Sequence, residues 1–374
     1  MTVPIIRTLL IKLTSTCNLN CSYCYWFKDE SVLHQPNLLT QEAENMLLTR
    51  LQQHIEDYEL DRFNIILHGG EPLLFGKKRF IHLITKIEEI GISTNCQFTF
   101  GLTTNGVLID EDWAYIFKVL NVSVTVSVDG TKDVHDLNRV DHKGNGSYDR
   151  TVKGISILKA NGHEPTVLAV CNPLSDPSDV LDHLVNVLNL KYFDILIPQA
   201  TLEEKPDSIS RYYKKLFDLW YRIYSKRGVN IRLPRAMVKG LLGGNTQLDS
   251  IGYGPVTTLT VLPDGKLEPL DVLRIAGNGF TKTSISLFEN NLQDIALDPL
   301  WKEAFDASLN LHLKCHNCSF KHACGGGYLP NRWSNTGRFD NPSVYCADLQ
   351  EIFRYISEAI SRDLSLKLKV SSYR

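Results

Sequence analysis

Short apolar runs alternate with amphipathic segments over roughly the first 225 residues. Each run is too short for a buried helix, and several are rich in β-branched residues and bounded by Gly, Pro or Asn. We therefore interpret the runs as strands. The predicted strands cover residues 5–13, 63–68, 98–103, 122–128, 166–170 and 193–197.

The segments between these runs have the periodicity of amphipathic helices. Thr40 is a candidate N-cap before a stretch that places Ala43, Leu47 and Leu51 on one face. Further helices are predicted over 78–90, 110–120, 148–161, 177–189 and 207–226. Six consecutive βα units imply a parallel sheet with right-handed crossovers. Six units are too few to close an eight-stranded barrel, so we expect an α/β fold, a partial (β/α)6 TIM-like barrel.

The alternation stops after about residue 250. The segment TTLTVLPDGKLEPL predicts a hairpin around Pro263, Asp264 and Gly265. A Cys-rich and Gly-rich stretch follows over 315–346, and a closing helix is predicted over 347–366. We therefore expect a barrel core over 1–235 and a small C-terminal domain over 236–374.

Composition and charge narrow the class of protein. Hydrophobic residues make up 43% of the 374 and charged residues 22%, which suits a folded enzyme. The net charge of −2 and the lack of a long basic run argue against a dedicated nucleic-acid binder. No apolar run is long enough to span a membrane, and the first residues lack the layout of a signal peptide. We expect a cytoplasmic protein, in which clustered cysteines are ligands or catalytic thiols rather than disulfides.

The first cysteine cluster, CNLNCSYC, places Cys17, Cys21 and Cys24 just beyond the first predicted strand. In barrel-like folds the loops at the carboxyl ends of the strands carry the active site. Three thiolates leave one iron of a cubane cluster open to a ligand. The alternatives are a zinc site completed by a distant residue such as His34, or three reduced core cysteines.

A second motif, HGGEP, directly follows the second predicted strand. Gly69 and Gly70 allow the backbone to approach a ligand closely, and Glu71 offers a carboxylate to a ligand ammonium. The motif is a weak signal by itself and a strong one beside the cysteine loop.

Together the two motifs resemble the radical S-adenosylmethionine (radical SAM) superfamily. The resemblance implies a [4Fe–4S] cluster on the three cysteines that chelates S-adenosylmethionine, with Tyr23 as the aromatic residue before the third cysteine. It also implies that the GGE segment contacts the methionine amine. A reductant such as flavodoxin or ferredoxin would then allow release of a 5′-deoxyadenosyl radical.

The same resemblance assigns four polar residues at later strand ends to the ribose and methionine carboxylate: Thr104, Asn105, Ser127 and Asp129. The alternative for each is an ordinary polar strand end that caps the next helix. His135 and Arg139 either reach the pocket or lie on a solvated helix face.

Four further cysteines, Cys315, Cys318, Cys324 and Cys346, suffice to saturate one cluster. Their spacing resembles the C-terminal extension called SPASM, which usually holds two auxiliary clusters on seven cysteines. The segment 257–275 contains no cysteine, and Tyr328 stands where the family has its remaining ligand. We expect one auxiliary [4Fe–4S] cluster; the alternative is a zinc knuckle.

The run 325–346 resembles maturases that build cyclophane crosslinks in ribosomal precursor peptides. Asp271 falls where peptide-oxidising relatives keep an aspartate beside the active site, and a carboxylate base suits an oxidation that sheds a proton. The leading hypothesis is therefore a peptide maturase in which the radical abstracts a side-chain hydrogen, the carbon adds to an aromatic ring, and Asp271 accepts the proton. The alternative for Asp271 is a turn residue facing water.

Several alternatives to crosslinking stay open at this stage. Within the enzyme class they are thioether formation, epimerisation, and sulfatase-type formylglycine maturation, which the missing cysteines disfavour. From another class, the chain could be a non-catalytic iron–sulfur scaffold or redox sensor, although such a protein has no use for Glu71 beside an open site. Since the first strand starts near Met1, we expect no preceding leader-binding domain. Cys96 and Cys171 are expected to be inert core residues, or else hydrogen donors of an epimerase.

Overall fold

The computed structural model describes residues 4–246, 248–255 and 257–371. By their internal contacts, the residues divide into two compact units, each assembled from separate chain segments. Unit 1 comprises Met1–Val128, Lys132–Leu168 and Val256–Asp306, and unit 2 comprises Asp129–Thr131, Ala169–Pro255 and Ala307–Arg374. The predicted boundary between residues 235 and 236 does not coincide with this division, and the assignment of 1–235 and 236–374 to separate roles stays a prediction.

The strands lie where the apolar runs predict them, within a few residues at each end. In the described ranges they are β1 Thr8–Thr14, β2 Arg62–Gly69, β3 Gln97–Thr104, β4 Val122–Ser127, β5 Thr166–Val170, β6 Tyr192–Leu196, β7 Asn230–Ile231, β8 Leu259–Val261 and β9 Leu267–Glu268.

The α-helices follow the predicted amphipathic stretches and add short turns around the cysteines. They are α1 Tyr25–Lys28, α2 Gln41–Asp57, α3 Lys77–Thr94, α4 Glu111–Val119, α5 Lys132–Asp136, α6 Tyr148–Ala160, α7 Pro177–Asp182, α8 Ser210–Leu219, α9 Arg232–Leu241, α10 Pro299–Leu309, α11 Leu313–His316, α12 Lys321–Cys324 and α13 Cys346–Ser371. The predicted helices at 177–189 and 207–226 pass into π-helical turns at His183–Val187 and Trp220–Tyr224.

The sheet of unit 1 is parallel along its main run. Strand β1 pairs in parallel with β2, β2 with β3, β3 with β4, and β4 with the start of β5. These pairings confirm the α/β fold class expected from the alternating pattern. On its other side β1 pairs in parallel with β8, and β8 pairs with β9 in the antiparallel hairpin predicted around Pro263. The hairpin therefore belongs to unit 1, whereas the sequence placed it in the C-terminal domain.

The helices of unit 1 cover the sheet through the apolar faces that the sequence predicts. Thr40 Oγ1 accepts a hydrogen bond from Ala43 N at 3.1 Å, so it is the N-cap of α2. Phe80 of α3 packs on Trp113 and Phe117 of α4, with ring centroids 5.1 and 5.9 Å apart. These contacts hold neighbouring helices against the sheet whose strand ends carry the motifs.

Unit 2 has its own core around α8 and α13. Strand β6 pairs in parallel with β7, and Cys171 N donates to Leu196 O at 3.0 Å. On α8, Ser210 Oγ donates to the carboxylate of Glu351 on α13 at 2.6 Å, and the ring of Phe217 packs edge-on against that of Tyr355. No helix among the described residues is long and apolar enough to cross a membrane.

A buried charge network fixes the segment after the hairpin within unit 1. Arg274 lies in the 3₁₀ helix Asp271–Ala276 and is 2% exposed. Its guanidinium contacts the carboxylates of Asp29, at 2.5 Å, and Glu268, and it lies over the Trp26 ring at 4.5 Å. Both carboxylates are 1% exposed, so neither has water to replace the cation.

Replacing Arg274 with Met should destabilise unit 1 strongly, because two carboxylates then stay buried without a counter-charge. We expect a loss of roughly 3–5 kcal/mol in the free energy of unfolding. Anaerobic urea denaturation followed by circular dichroism measures it. The control is Lys86→Met, which removes an exposed pair with Glu89 and should cost less than about 1 kcal/mol. Equal losses in the two variants would contradict the assignment.

Candidate functional site

The two sequence motifs meet at one edge of the unit 1 sheet. The register pairs Lys12 with His68 and Thr14 with Gly69, so β1 and β2 end side by side. The cysteine loop follows β1 and the GGE segment follows β2. The predicted proximity of the two motifs is therefore present in the fold.

Position 70 has to be a glycine because the loop after β1 and the loop after β2 approach each other closely there. Its N–H donates to Thr14 O at 3.0 Å, and the next N–H, that of Glu71, donates to Thr16 O at 2.8 Å. A Cβ placed on Gly70 would lie 2.2 Å from Thr16 O, which no side chain tolerates. The backbone that leads into Cys17 is therefore one reason for a glycine here, and the predicted contacts of Gly69 and Gly70 with a ligand stay predictions.

Glu71 is completely buried and is held by three donors of unit 1. Its carboxylate accepts hydrogen bonds from Thr104 Oγ1 at 2.7 Å, Leu73 N at 3.1 Å and Asn105 N at 2.8 Å. Burial raises the pKa of Glu71 to about 7 even though these donors favour the charged form. Glu71 thus ties the end of β2 to the end of β3, and its predicted contact with a ligand ammonium stays a prediction.

Thr104 and Asn105 both donate hydrogen bonds to this carboxylate, and Asn105 also contacts the cysteine loop. The Thr104 hydroxyl donates to Glu71 and accepts from Gly106 N at 3.1 Å. The Asn105 amide donates to Asn18 Oδ1 at 2.7 Å and lies 3.7 Å from Cys17 Sγ. These internal contacts explain both residues without a ligand, and their predicted contacts with the ribose stay predictions.

The aromatic residue before the third cysteine has a cation over its ring. The guanidinium of Arg139 lies 5.3 Å from the centroid of Tyr23. His135 is fully buried, and its Nε2 lies 2.9 Å from Ser147 Oγ. The hypothesis of a solvated helix face is therefore wrong for both residues, since Arg139 is only 8% exposed.

The two remaining strand-end residues lie in different units. Ser127 ends β4 in unit 1 and is half-buried. Asp129 belongs to unit 2, is 4% exposed and accepts a hydrogen bond from Val170 N at 3.0 Å. Asp129 therefore behaves as an ordinary polar residue at a strand end, since its carboxylate accepts a backbone hydrogen bond. The predicted role of Ser127 and Asp129 at the cofactor stays a prediction.

Asp271 lies in a buried network with Lys12, Tyr25 and His68. Lys12 Nζ is 2.5 Å from Asp271 Oδ2, and 3.3 Å from both Tyr25 OH and His68 Nδ1. Tyr25 OH also donates to Asp271 Oδ2 at 2.5 Å. Asp271 is 2% exposed and Lys12 is fully buried, so the alternative of a turn aspartate facing water is wrong.

The electrostatics keep the Asp271 carboxylate charged at neutral pH. Burial disfavours the carboxylate, but Lys12, His68 and the Tyr25 hydroxyl together outweigh burial, and the pKa of Asp271 falls to about 2. Burial lowers the pKa of Lys12, and the charge of Asp271 opposes that shift. Burial and the charge of Lys12 lower the pKa of His68 to about 4, so its ring is neutral. Gly69 N donates to His68 Nδ1 at 2.9 Å, which assigns the ring proton to Nε2.

Sequence reasoning missed Lys12, Tyr25 and His68 as members of this network. The signal for Lys12 is a single charge inside the apolar run LLIKLT, where an ammonium needs a partner. Tyr25 directly follows the third cysteine, and His68 precedes the GGE segment. No sequence pattern links any of them to residue 271.

The three cysteines of the first cluster have a donor set that fits a cubane with one open iron. All nine cysteines of the chain are free thiols, and Cys17, Cys21 and Cys24 are half-buried. Cys24 N donates to Cys21 O at 3.1 Å, so a tight turn links the last two cysteines. Burial and the charge of Glu71 raise the pKa of Cys17 to about 12.

The second group of cysteines surrounds one cavity in unit 2. Its lining includes all four thiols, of Cys315, Cys318, Cys324 and Cys346, together with the apolar side chains of Phe320, Leu349 and Phe353. Burial and the three neighbouring thiols raise the pKa of Cys324 to about 12. Four thiols around a largely apolar cavity fit a fully ligated cluster. Among the described residues no three His, Cys, Asp or Glu side chains form a group that could hold a single metal ion.

Cys96 and Cys171 are buried, 5% and 4% exposed, as the sequence analysis expects of core cysteines. Burial raises the pKa of both thiols. Their chemical inertness stays a prediction.

The chain is similar to a known protein family, to characterised enzymes and to solved structures. Residues 11–184 match the family described as the Radical SAM superfamily. A Cysteine-type anaerobic sulfatase-maturating enzyme of Clostridium novyi (strain NT) is 28% identical over 92% of this chain and 94% of its own. The enzyme of the same name from Clostridium perfringens (strain 13 / Type A) is 24% identical over 94% and 96%. The solved structure "Native anSMEcpe with bound AdoMet and Cp18Cys peptide" has a TM-score of 0.83 and 23% identity, covering 97% of this chain and 99% of that chain.

Residues 11–184 form a radical SAM domain, and the chain is an enzyme. Its α/β fold, with the parallel sheet expected of a partial barrel, is that of the solved structure named above. The sequence prediction of a [4Fe–4S] cluster and S-adenosylmethionine as cofactors is confirmed. The ligand residues named above remain our assignment.

The two cysteine groups can be separated by substitution. Loaded anaerobically, the protein should bind ~8 iron atoms, because three plus four cysteines hold two cubanes. Replacing Cys17, Cys21 and Cys24 with Ala should leave ~4 iron and abolish release of 5′-deoxyadenosine. Replacing Cys318 and Cys324 is the matched control: it should also remove ~4 iron but reduce product formation more than cofactor cleavage.

Iron and zinc analysis with chromatography of 5′-deoxyadenosine checks both statements. Cofactor cleavage at the parental rate in the triple variant would refute the assignment of the first cluster. A content of ~12 iron would indicate a third cluster, and ~4 iron with one zinc would establish the zinc knuckle.

Proposed function

We propose that this radical SAM enzyme oxidises a side-chain β carbon in a peptide substrate. The observation that carries the proposal is the buried carboxylate of Asp271, bound to Tyr25, which directly follows Cys24. A carboxylate next to the radical cluster loop can accept the proton that such an oxidation releases.

Sulfatase-type maturation is the form of this reaction that the relatives support. Two Cysteine-type anaerobic sulfatase-maturating enzymes match more than nine-tenths of the chain, and a structural neighbour binds a peptide. In that reaction a Cys or Ser side chain becomes an aldehyde. The sequence analysis favoured a cyclophane crosslink and disfavoured this alternative; the relatives favour the alternative.

The hydrogen atom, the electron and the proton that leave the substrate each require a different part of the protein. A hydrogen atom leaves the β carbon, and then one electron and one proton leave the substrate. Serine yields the aldehyde directly, whereas cysteine yields a thioaldehyde that water converts to the aldehyde with loss of hydrogen sulfide. Bound at the first cysteine cluster, the cofactors supply the hydrogen-abstracting radical. The four cysteines of unit 2 would hold a cluster suited to one-electron transfer.

Asp271 is suited to the proton step despite its low pKa. Once the electron has left the β-carbon radical, the remaining O–H or S–H group is a strong acid. A weak base is then sufficient, and the carboxylate must above all stay charged and fixed. Lys12 keeps it charged, and Tyr25 and Lys12 fix the same oxygen, Oδ2.

The cyclophane crosslink remains a second candidate because of one feature of the chain. Segment 257–275 contains no cysteine, and Leu270, before Asp271, is 5% exposed in the core of unit 1. The chain therefore lacks the ligands of the proximal auxiliary cluster that the SPASM extension usually carries. One auxiliary cluster, at the cysteines of unit 2, is accordingly part of our proposal.

The partners follow from the same chemistry. We propose a peptide substrate, a sulfatase segment or a ribosomal precursor peptide, and a low-potential reductant such as flavodoxin or ferredoxin. Reduced thiol ligands suit the cytoplasm, where we place the enzyme.

The mass of the product decides between the two candidates. A peptide that carries the target residue is incubated with loaded enzyme and S-adenosylmethionine and analysed by mass spectrometry. Cysteine-to-aldehyde conversion should lower the mass by about 18 Da, and serine-to-aldehyde conversion by about 2 Da, each with hydrazide capture. A crosslink also removes about 2 Da but leaves no aldehyde, and fragmentation skips the linked residues. An unchanged mass with a D-residue would refute β-carbon oxidation.

Asp271→Asn tests the base directly. The amide keeps the shape but accepts no proton, so 5′-deoxyadenosine release should continue while product falls at least tenfold. Asp264→Asn, in the hairpin turn of the same unit, is the matched control and should behave as the parent. Product at the parental rate from Asp271→Asn would show that the base lies elsewhere.

Lys12→Met adds a dependence on pH to this test. Without the ammonium, the Asp271 carboxylate keeps the Tyr25 hydrogen bond but loses the charge that opposes burial, and its pKa rises from about 2. The variant should therefore lose product, relative to 5′-deoxyadenosine, as the pH is lowered toward the raised pKa. The parent carboxylate stays charged over that range, so the parent should show no such decline.

A further inference from the structure

Arg332 is a buried cation in unit 2 with an unusual set of partners. It ends the 3₁₀ helix Leu329–Arg332 and is 1% exposed. Its Nε donates to Asn341 O at 3.1 Å and its Nη1 donates to Ala307 O at 2.7 Å. Within the described ranges its Nη2 is buried and has no hydrogen-bond partner. Two carbonyls hold the guanidinium, and neither neutralises its charge.

The guanidinium lies beside the wall of the four-cysteine cavity. Gly326 lines that cavity, and a Cβ placed on it would be 3.5 Å from Arg332 Nη1. The glycine thus leaves no side chain between this part of the wall and the cation.

The other charges near the cavity are less buried than Arg332. Lys314 and Lys321 line the cavity; Lys314 is exposed and Lys321 is half-buried, with its Nζ donating to His316 O at 3.3 Å. Asp340 acts on Arg332 but is exposed, so water screens it. Arg332, at 1% exposed, is therefore the most deeply buried of these charges.

A buried cation without a counter-charge is costly, and an anion in the cavity would remove the cost. Four thiolates around an iron–sulfur cubane give a net negative charge, which grows when the cluster is reduced. Hydrogen bonds and charges around the sulfurs set the reduction potential of such clusters.

We propose that Arg332 is the charge partner of the cluster held by Cys315, Cys318, Cys324 and Cys346 and raises its reduction potential. The inference rests on the cluster assignment of the proposed function and deepens it. By stabilising the reduced form, Arg332 makes the cluster a better acceptor of the electron that leaves the substrate.

The experiment measures the potential of this cluster alone. In full-length protein carrying Cys17→Ala, Cys21→Ala and Cys24→Ala, the remaining ~4 iron report on the second cluster. Spectroelectrochemistry with electron paramagnetic resonance compares the added changes Arg332→Met, Arg332→Lys and Lys314→Met. Arg332→Met should shift the reduced-to-oxidised ratio at fixed potential at least tenfold toward oxidised, ~59 mV for one electron. Arg332→Lys, which keeps the charge, and Lys314→Met, which removes an exposed charge, should stay near the parent.

Each outcome bears on the inference. An unchanged potential in iron-loaded Arg332→Met overturns it, as does an equal shift in Lys314→Met. If Arg332→Met loses its iron, the Arg332→Lys variant decides. Full iron loading of Arg332→Lys at the parental potential supports the role of the charge. Loss of iron from Arg332→Lys as well would show that Arg332 is a structural brace and would overturn the inference. A triple variant without iron overturns it as well. Peptide mass, measured separately on enzyme with both clusters, judges the proposed oxidation independently.

Discussion

The ammonium of Lys12, enclosed in the first strand, is the constraint on which the site depends. An isolated charge at that depth would cost several kcal/mol, so the structure has to bring an anion to it. Asp271 supplies that anion, and the same oxygen accepts the Tyr25 hydroxyl. One ion pair therefore fixes the first strand, the helix after the third cysteine and the segment after the hairpin.

Trp26 extends this constraint to a second set of charges. Its indole ring has the Lys12 ammonium at 4.4 Å and the Arg274 guanidinium at 4.5 Å, and its Nε1 donates to Ser15 O at 3.0 Å. Two cations share one aromatic ring, and each has its own carboxylate partner. The residue two positions after the third cysteine is therefore held by charge as well as by packing.

Much of the architecture could be predicted from the sequence, because strand and helix periodicities are local. The βα order, the N-cap at Thr40 and the hairpin at Pro263 all follow from short patterns. The division into units could not be predicted, since residues 129–131 and 256–306 join segments far away in sequence. At the site, cysteine spacing identified both thiol groups and the HGGEP motif identified the GGE segment, whereas the partners of Asp271 depend on long-range contacts. The backbone contact at Gly70 could not be predicted, because the sequence shows that space is needed there but not that Thr16 O lies beside it.

The interleaved order of segments also determines when the site can form during synthesis. Tyr25 and Asp271 are 246 residues apart, and Asp29 and Arg274 are 245 apart. At the ~5–20 residues per second of translation, the cysteine loop leaves the ribosome roughly 12–50 s before its charge partners. During that interval Lys12 has no carboxylate from residue 271, and burial of the first strand in its final form has to wait. The cysteine loop of the nascent chain is thus synthesised early and fixed late, only after the segment that carries Asp271 and Arg274 has been made.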